Sequence, residues 1–277
     1  MSEAISSETL QPPRAADTVL ASGRAIFSAA ICSLGIEHLV CARTVSHTLG
    51  PRYDIIPVIP WLPAIPWLAY LFGTILVACA VCILFQRTMR TAAITLGGLL
   101  FLCALILEVP KNAANPGNIA LRTTVFEPLS IASLAWLLQS RGPITGWLAG
   151  GFRYLLALSL VVYGVDHLIA LAFIASFVPA WIPWHVFWAA FFGVALIAGG
   201  FSIGLNFLQR WGATCTGLMF GIWVITLHLP RVLGLYGIPG APRDPDEWSS
   251  LLIPVALWGG FWELAHQRDS RVAAARP

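Results

Sequence analysis

Charge is scarce in this chain: only 10% of its 277 residues are Asp, Glu, Lys or Arg. A soluble domain carries roughly 25%, so too few are present to coat a water-facing surface. A cytosolic globular protein, a nucleic-acid binder and a disordered chain are excluded on that ground. The net charge of +3 implies no polyanionic partner. No positive n-region and no small-residue cleavage site stand near the start, so a removable signal peptide is not expected. Residues 1–18, polar and slightly acidic, read as a disordered cytoplasmic tail. What fills the rest is apolar: 58% hydrophobic residues, a mean hydropathy of +0.78, and 12 Trp with 19 Pro, which suit membrane interfaces and interrupted helices.

A bilayer core about 30 Å thick needs about 20 mostly apolar residues per spanning helix. Eight such stretches occur, near Val19–Cys41, Ala64–Phe85, Thr91–Val109, Ile119–Leu138, Phe152–Ile174, Trp184–Leu208, Gly212–Leu229 and Trp248–His266. They are apolar on every side and lack the alternation of a barrel strand, so the expected fold is all-α, a polytopic membrane protein with eight transmembrane helices. Eight spans put both termini on one side. That side holds eight Arg in its tails and loops against six Lys or Arg on the other. Assigning Arg24 and Arg153 to inner helix ends makes it ten against six, and the positive-inside rule then places both termini in the cytoplasm.

The chain also repeats itself. Arg24, Gly35, Glu37 and His38 match Arg153, Gly164, Asp166 and His167, each displaced by 129 positions. After a shorter loop the displacement settles at 120: Trp61, Pro63, Gly73, Arg90, Gly97, Pro110 and Glu127 match Trp181, Pro183, Gly193, Arg210, Gly217, Pro230 and Glu247. The expected organisation is two parallel four-helix repeats side by side, residues 19–140 and 141–267, followed by a cytoplasmic tail at 268–277. Small-residue faces such as Gly200-x-x-x-Gly204 and Gly217-x-x-x-Gly221 would allow close helix contact.

The Gly23-Arg24 entry, the Gly35–His38 segment and the Pro-Trp-Leu-Pro approach to the second span carry a family resemblance. With the 51–93 block and a third span ending Leu-Glu-Val-Pro-Lys-Asn, they resemble the DoxX-like group of small four-helix membrane proteins, here as a tandem duplication. The second half repeats the pattern as GVDHLI, VPAWIPWHVFWAAFFG and LHLPRV. The resemblance implies a helical bundle in the cell (inner) membrane. Some members of the group are linked to thiosulfate or thiol redox chemistry with quinone, which implies a quinone cofactor and a soluble oxidoreductase partner.

Charged side chains at bilayer depth cost about 2.5–3.5 kcal/mol on insertion scales, so they face partners or a polar cavity. Glu37, His38, Glu108 and Glu127 fall at one level of the outer leaflet, as do Asp166, His167, His228 and Glu247 in the second half. At about 100° per residue, Arg24, Gly35 and His38 share a helix face while Glu37 points elsewhere. Two readings stand side by side. In one, the groups are interhelical ion pairs: Glu37 or Glu127 with Arg122 or Lys111, and Glu247 with Arg231 or Arg243, while Arg24 and Arg153 are structural charges. In the other they line an outward-facing pocket for a solute, a quinone head group or a proton, with His38 and His167 titrating. A metal site is not expected, because the His residues stand singly without ligand spacing.

Pro57, Pro60, Pro63 and Pro66 recur every third residue around Trp61 and Trp67, as an interfacial anchor or a lid over the polar groups. Pro66 can start the second span. Pro179, Trp181, Pro183 and Trp184 are a weaker copy. Cys79-Ala-Val-Cys82 spells a thiol redox motif, but its repeat counterparts Gly199 and Ser202 favour small-residue packing. Glu263 and His266 have no first-half match and read as a solvated helix end near Arg268. No haem, flavin or iron–sulfur ligand set is evident, which leaves two functional classes. One is a membrane subunit of a quinone- or thiol-linked redox system. The other is a non-catalytic carrier, receptor or scaffold for a small solute or lipid.

Overall fold

The computed structural model describes residues 22–41, 66–138, 146–237 and 244–274, and among them helix is the only regular structure. Eight long helices and one short one follow in order: α1 (Gly23–Cys41), α2 (Pro66–Leu84), α3 (Met89–Ala114), α4 (Ile119–Leu138), α5 (Gly146–Ile169), α6 (Leu171–Phe177), α7 (His185–Gly204), α8 (Gln209–Val232) and α9 (Pro245–Ala274). Helices satisfy their backbone groups internally, which is what an apolar surrounding demands. The 1–18 tail, the Pro57–Pro63 segment with Trp61, Arg243, and the side chain of Arg268 lie outside what is described.

Six helices (α1, α2, α3, α5, α7 and α8) are long and apolar enough to cross a membrane. The chain is thus an all-helical, multi-pass membrane protein by length and composition. Of the eight expected spans, α4 and α9 do not reach that apolarity. Their position explains why. Each helix packs on its neighbour in sequence around a ring, from α1 on α2 to α8 on α9, and α9 closes the ring on α1. Across the middle, α4 touches α9 as well as α3 and α5. A helix flanked by protein needs less apolar surface than one facing lipid. Every residue from Leu129 to Ala135 is buried. The hydroxyls of Ser130 and Ser133 in that run donate to the Glu127 and Leu129 carbonyls at 2.8 and 2.7 Å.

The two halves of the chain meet through their terminal helices. The first helix of each half docks on the last helix of the other, α1 on α9 and α5 on α4. Glycines set how closely several pairs approach. A Cβ on Gly35 would come within 2.7 Å of the Gly73 carbonyl, so α1 and α2 touch through backbone. Gly164 and Gly193 do the same for α5 and α7. The expected Gly200–Gly204 face meets Ala157 of α5, whereas Gly217 and Gly221 admit the indoles of Trp262 and Trp258 from α9.

Boundaries shift in instructive places. The fifth span starts earlier than expected, at Gly146, and breaks at Ala170, beyond which α6 runs separately. The eighth continues as helix to Ala274. α2 does begin at Pro66. Both α3 and α8 widen into a π turn, Ala104–Glu108 and Val224–His228, each just ahead of a proline. Pro110 and Pro230 have no N–H for the carbonyl four residues back, and their rings crowd it, which a wider turn relieves. The freed Thr226 carbonyl accepts the Tyr236 hydroxyl instead.

Candidate functional site

The polar residues that the sequence places at one depth gather in two clusters, each drawn from three helices. The first lies where α3, α4 and α5 meet. Glu108 ends the π turn of α3 and is only 6% exposed. Its carboxylate accepts from Thr124 Oγ1 of α4 at 3.1 Å and faces Lys111 Nζ at 3.5 Å. One turn along α4, Glu127 lies within electrostatic range of Glu108 and of the buried Tyr163 hydroxyl. Tyr163 and Ser130 share a hydrogen bond of 3.2 Å. Asp166, 4% exposed, accepts from Arg122 Nε at 2.8 Å and from Arg122 Nη2. Its Oδ2 is buried with no hydrogen-bond partner among the described residues.

The second cluster lies where α8, α9 and α1 meet. Arg231 grips Glu247 with two donors, Nε to Oε2 at 2.9 Å and Nη2 to Oε1. That guanidinium holds the Glu247 carboxyl below its ordinary value, mainly by hydrogen bonding and against partial burial. His228 ends the π turn of α8 beside this pair. Glu37 of α1 accepts from Ser249 Oγ of α9 at 2.8 Å. The Phe177 ring of α6 lies 5.5 Å from the Arg231 guanidinium carbon and partly covers the pair.

Glu37 therefore sits with Glu247, across the halves from Glu108 and Glu127. Arg122 serves Asp166 and not Glu37 or Glu127, Lys111 serves Glu108, and Arg231 serves Glu247. His38 and His167 turn to other faces. Their Nδ1 atoms donate to the Leu34 and Tyr163 carbonyls at 2.7 and 2.8 Å. The His38 ring packs 4.9 Å from Phe72, and that of His167 stacks on Trp223 at 5.4 Å. This matches the expected divergence of His38 from Glu37.

At the opposite ends of the helices, Arg24 Nη1 reaches Met89 Sδ at 3.5 Å, while the Arg153 guanidinium lies 5.0 Å from the Tyr154 ring. The sequence leads us to expect a solvated Glu263, but it is buried, 4% exposed. It accepts from Gln267 Nε2 at 3.0 Å, and that amide also donates to the Leu138 carbonyl at 3.2 Å, because α9 packs against the end of α4. Cys79 is buried in the core and Cys82 is half-buried beside it, both as free thiols. No group of three or more potential metal ligands occurs among the described residues.

Sequence reasoning fastened on charges and missed the hydroxyls that organise them. Thr124, Glu127 and Ser130 are spaced three apart, as are Tyr163 and Asp166, so each set shares a helix face. That spacing was the available signal. Comparison with family models, with curated proteins and with solved structures gives no match.

Proposed function

We propose that this chain is an eight-span membrane protein of two parallel four-helix repeats, akin to the DoxX-like group, serving as the membrane subunit of a quinone- or thiol-linked redox system. Both termini lie in the cytoplasm of the cell membrane, and a soluble oxidoreductase supplies the electrons. The supporting observation is the α3–α4–α5 cluster. It joins carboxylates to the Tyr163 and Ser130 hydroxyls at one level, and this is the chemistry that holds a quinone carbonyl and exchanges its protons. The repeat draws support from the paired π turns at 104–108 and 224–228 and from the matching histidine bonds of α1 and α5.

Purification in native lipid followed by organic extraction tests the redox reading. Retained quinone, lost in Tyr163→Phe, and co-purification of a soluble oxidoreductase are expected. Neither quinone nor a redox partner would overturn it. The second reading, a non-catalytic carrier, receptor or scaffold for a small solute or lipid, is favoured by the Arg122–Asp166 and Arg231–Glu247 pairs, which commit those charges to joining helices. Uptake or binding in liposomes without a redox partner would support it.

A further inference from the structure

The two halves differ at the end of the bundle opposite the two clusters. In the first half Arg24 of α1 reaches Met89, the first residue of α3, Nη1 to Sδ at 3.5 Å. The displacements of 129 and 120 carry this pair to Arg153 of α5 and Gln209, the first residue of α8. Packing brings the second pair to one level as well. The contacts Gly164–Gly193 and Gly204–Ala157 run α5 and α7 antiparallel. Gly199–Thr216 and Gly212–Ser202 do the same for α7 and α8, so α5 and α8 are parallel. They approach at one layer, where a Cβ on Gly199 would lie 2.5 Å from Thr216 Oγ1 and 3.8 Å from Leu160 Cδ1. Arg153 stands seven residues before Leu160, and Gln209 seven before Thr216. Both are thus two turns back on the same helix face, about 10 Å along the axis.

We propose that Arg153, Gln209 and the start of α8 bind the head group of an anionic phospholipid that carries a glycerol hydroxyl. Where the first half closes on a thioether, the second leaves polar groups unmatched. Gln209 is 5% exposed, and neither its Nε2 nor its Oε1 has a hydrogen-bond partner among the described residues. Arg153 Nε is likewise buried without one. The N-cap of α8 is Leu208, whose side chain caps none of the first-turn N–H groups, and such a helix start attracts anions.

A buried amide without partners is costly, so Gln209 calls for a ligand that offers both an acceptor and a donor. A phosphodiester oxygen accepts from Arg153 and from Gln209 Nε2, and the head-group hydroxyl donates to Gln209 Oε1. The surroundings select a lipid over a free anion. The Tyr154 ring lies 5.0 Å from the Arg153 guanidinium carbon. Tyr154, Phe207, Leu208 and Trp211 are 58–67% exposed, as in the aromatic rim of a span at a membrane interface. Basic pockets between spans take lipid head groups at that depth. The site is independent of the redox reading and lies at the other end of the helices from its cluster.

Native mass spectrometry of the full chain in detergent, titrated with lipids of matched acyl chains, tests this. One phosphatidylglycerol is expected to survive collisional activation, retained severalfold over phosphatidylcholine. Phosphatidylmethanol, with the same charge but no hydroxyl, is retained less. Gln209→Met installs the first-half residue and lowers phosphatidylglycerol retention about tenfold, as for lost hydrogen bonds to a charged group. Its lipid-free thermal midpoint stays no lower than that of the wild type. Arg153→Gln also lowers retention, whereas Arg24→Gln leaves it unchanged. Equal retention of phosphatidylcholine or phosphatidylmethanol, retention indifferent to both Gln209→Met and Arg153→Gln, or an equal loss in Arg24→Gln overturns the proposal. So does displacement of the lipid by an equal concentration of free glycerol phosphate, which would make the ligand a soluble anion.

Discussion

Asp166 shows what a single buried charge demands. It is nearly inaccessible, and the atoms compensating it come from Arg122 on a neighbouring helix 44 positions away. Arg122→Ala strands that carboxylate, at a cost of about 3–5 kcal/mol as for other broken buried pairs. The expected readout is a large drop in the thermal midpoint of the detergent-solubilised protein. Asp166→Asn costs less, because the partly exposed Arg122 can turn towards water. Glu247 gives a pH-dependent counterpart. Arg231 depresses its carboxyl below the ordinary 4.5, so the pair stabilises the fold above that value and its contribution fades as pH falls through the depressed one. Glu247→Gln is therefore expected to melt below the wild type at neutral pH and together with it in strong acid, as followed by tryptophan fluorescence. The ion-pair reading of the sequence identified the Arg231–Glu247 partnership. It missed Arg122–Asp166 because the candidate acids for Arg122 were sought within its own half, whereas the packing brings α5 onto α4.

Among the elements, α1 and α2 owe their closeness to Gly35 and Gly73, where backbone meets backbone. Gly35→Leu wedges them apart. Overpacking of this kind costs about 1–3 kcal/mol, whereas Gly98→Ala, whose Cβ meets nothing within 4 Å, should lose nothing. Thermal midpoints of the two variants, measured side by side, separate close approach from helix propensity. Helix existence was legible because twenty-residue apolar runs permit little else in a bilayer. The π turns were not. Pro110 and Pro230 mark where a helix must adjust, but whether the backbone kinks, breaks or widens depends on the neighbours that receive its carbonyls, as Tyr236 does for Thr226. The same holds for Ala170, where an apolar pattern continues through a break in the helix.

For the molecule as a whole, the decisive feature is that neither half closes on itself. The duplicated pattern was visible as constant displacements of 129 and 120, yet displacement carries no information about which copies touch. In the structure the main buried cluster draws on both halves, with Phe27 of α1 and Leu134 of α4 both against Gly260 of α9. Separating the halves would expose the faces of α1 and α5 that now rest on α9 and α4, together with Asp166 deprived of Arg122. Residues 1–140 and 141–277 expressed singly are therefore expected to be degraded or to aggregate. Co-expressed without a covalent link, they should assemble and co-purify through an affinity tag on either one. Stable, monodisperse single halves would show that each repeat closes its own core, and the cross-half contacts would then be a consequence of tethering rather than a requirement of folding.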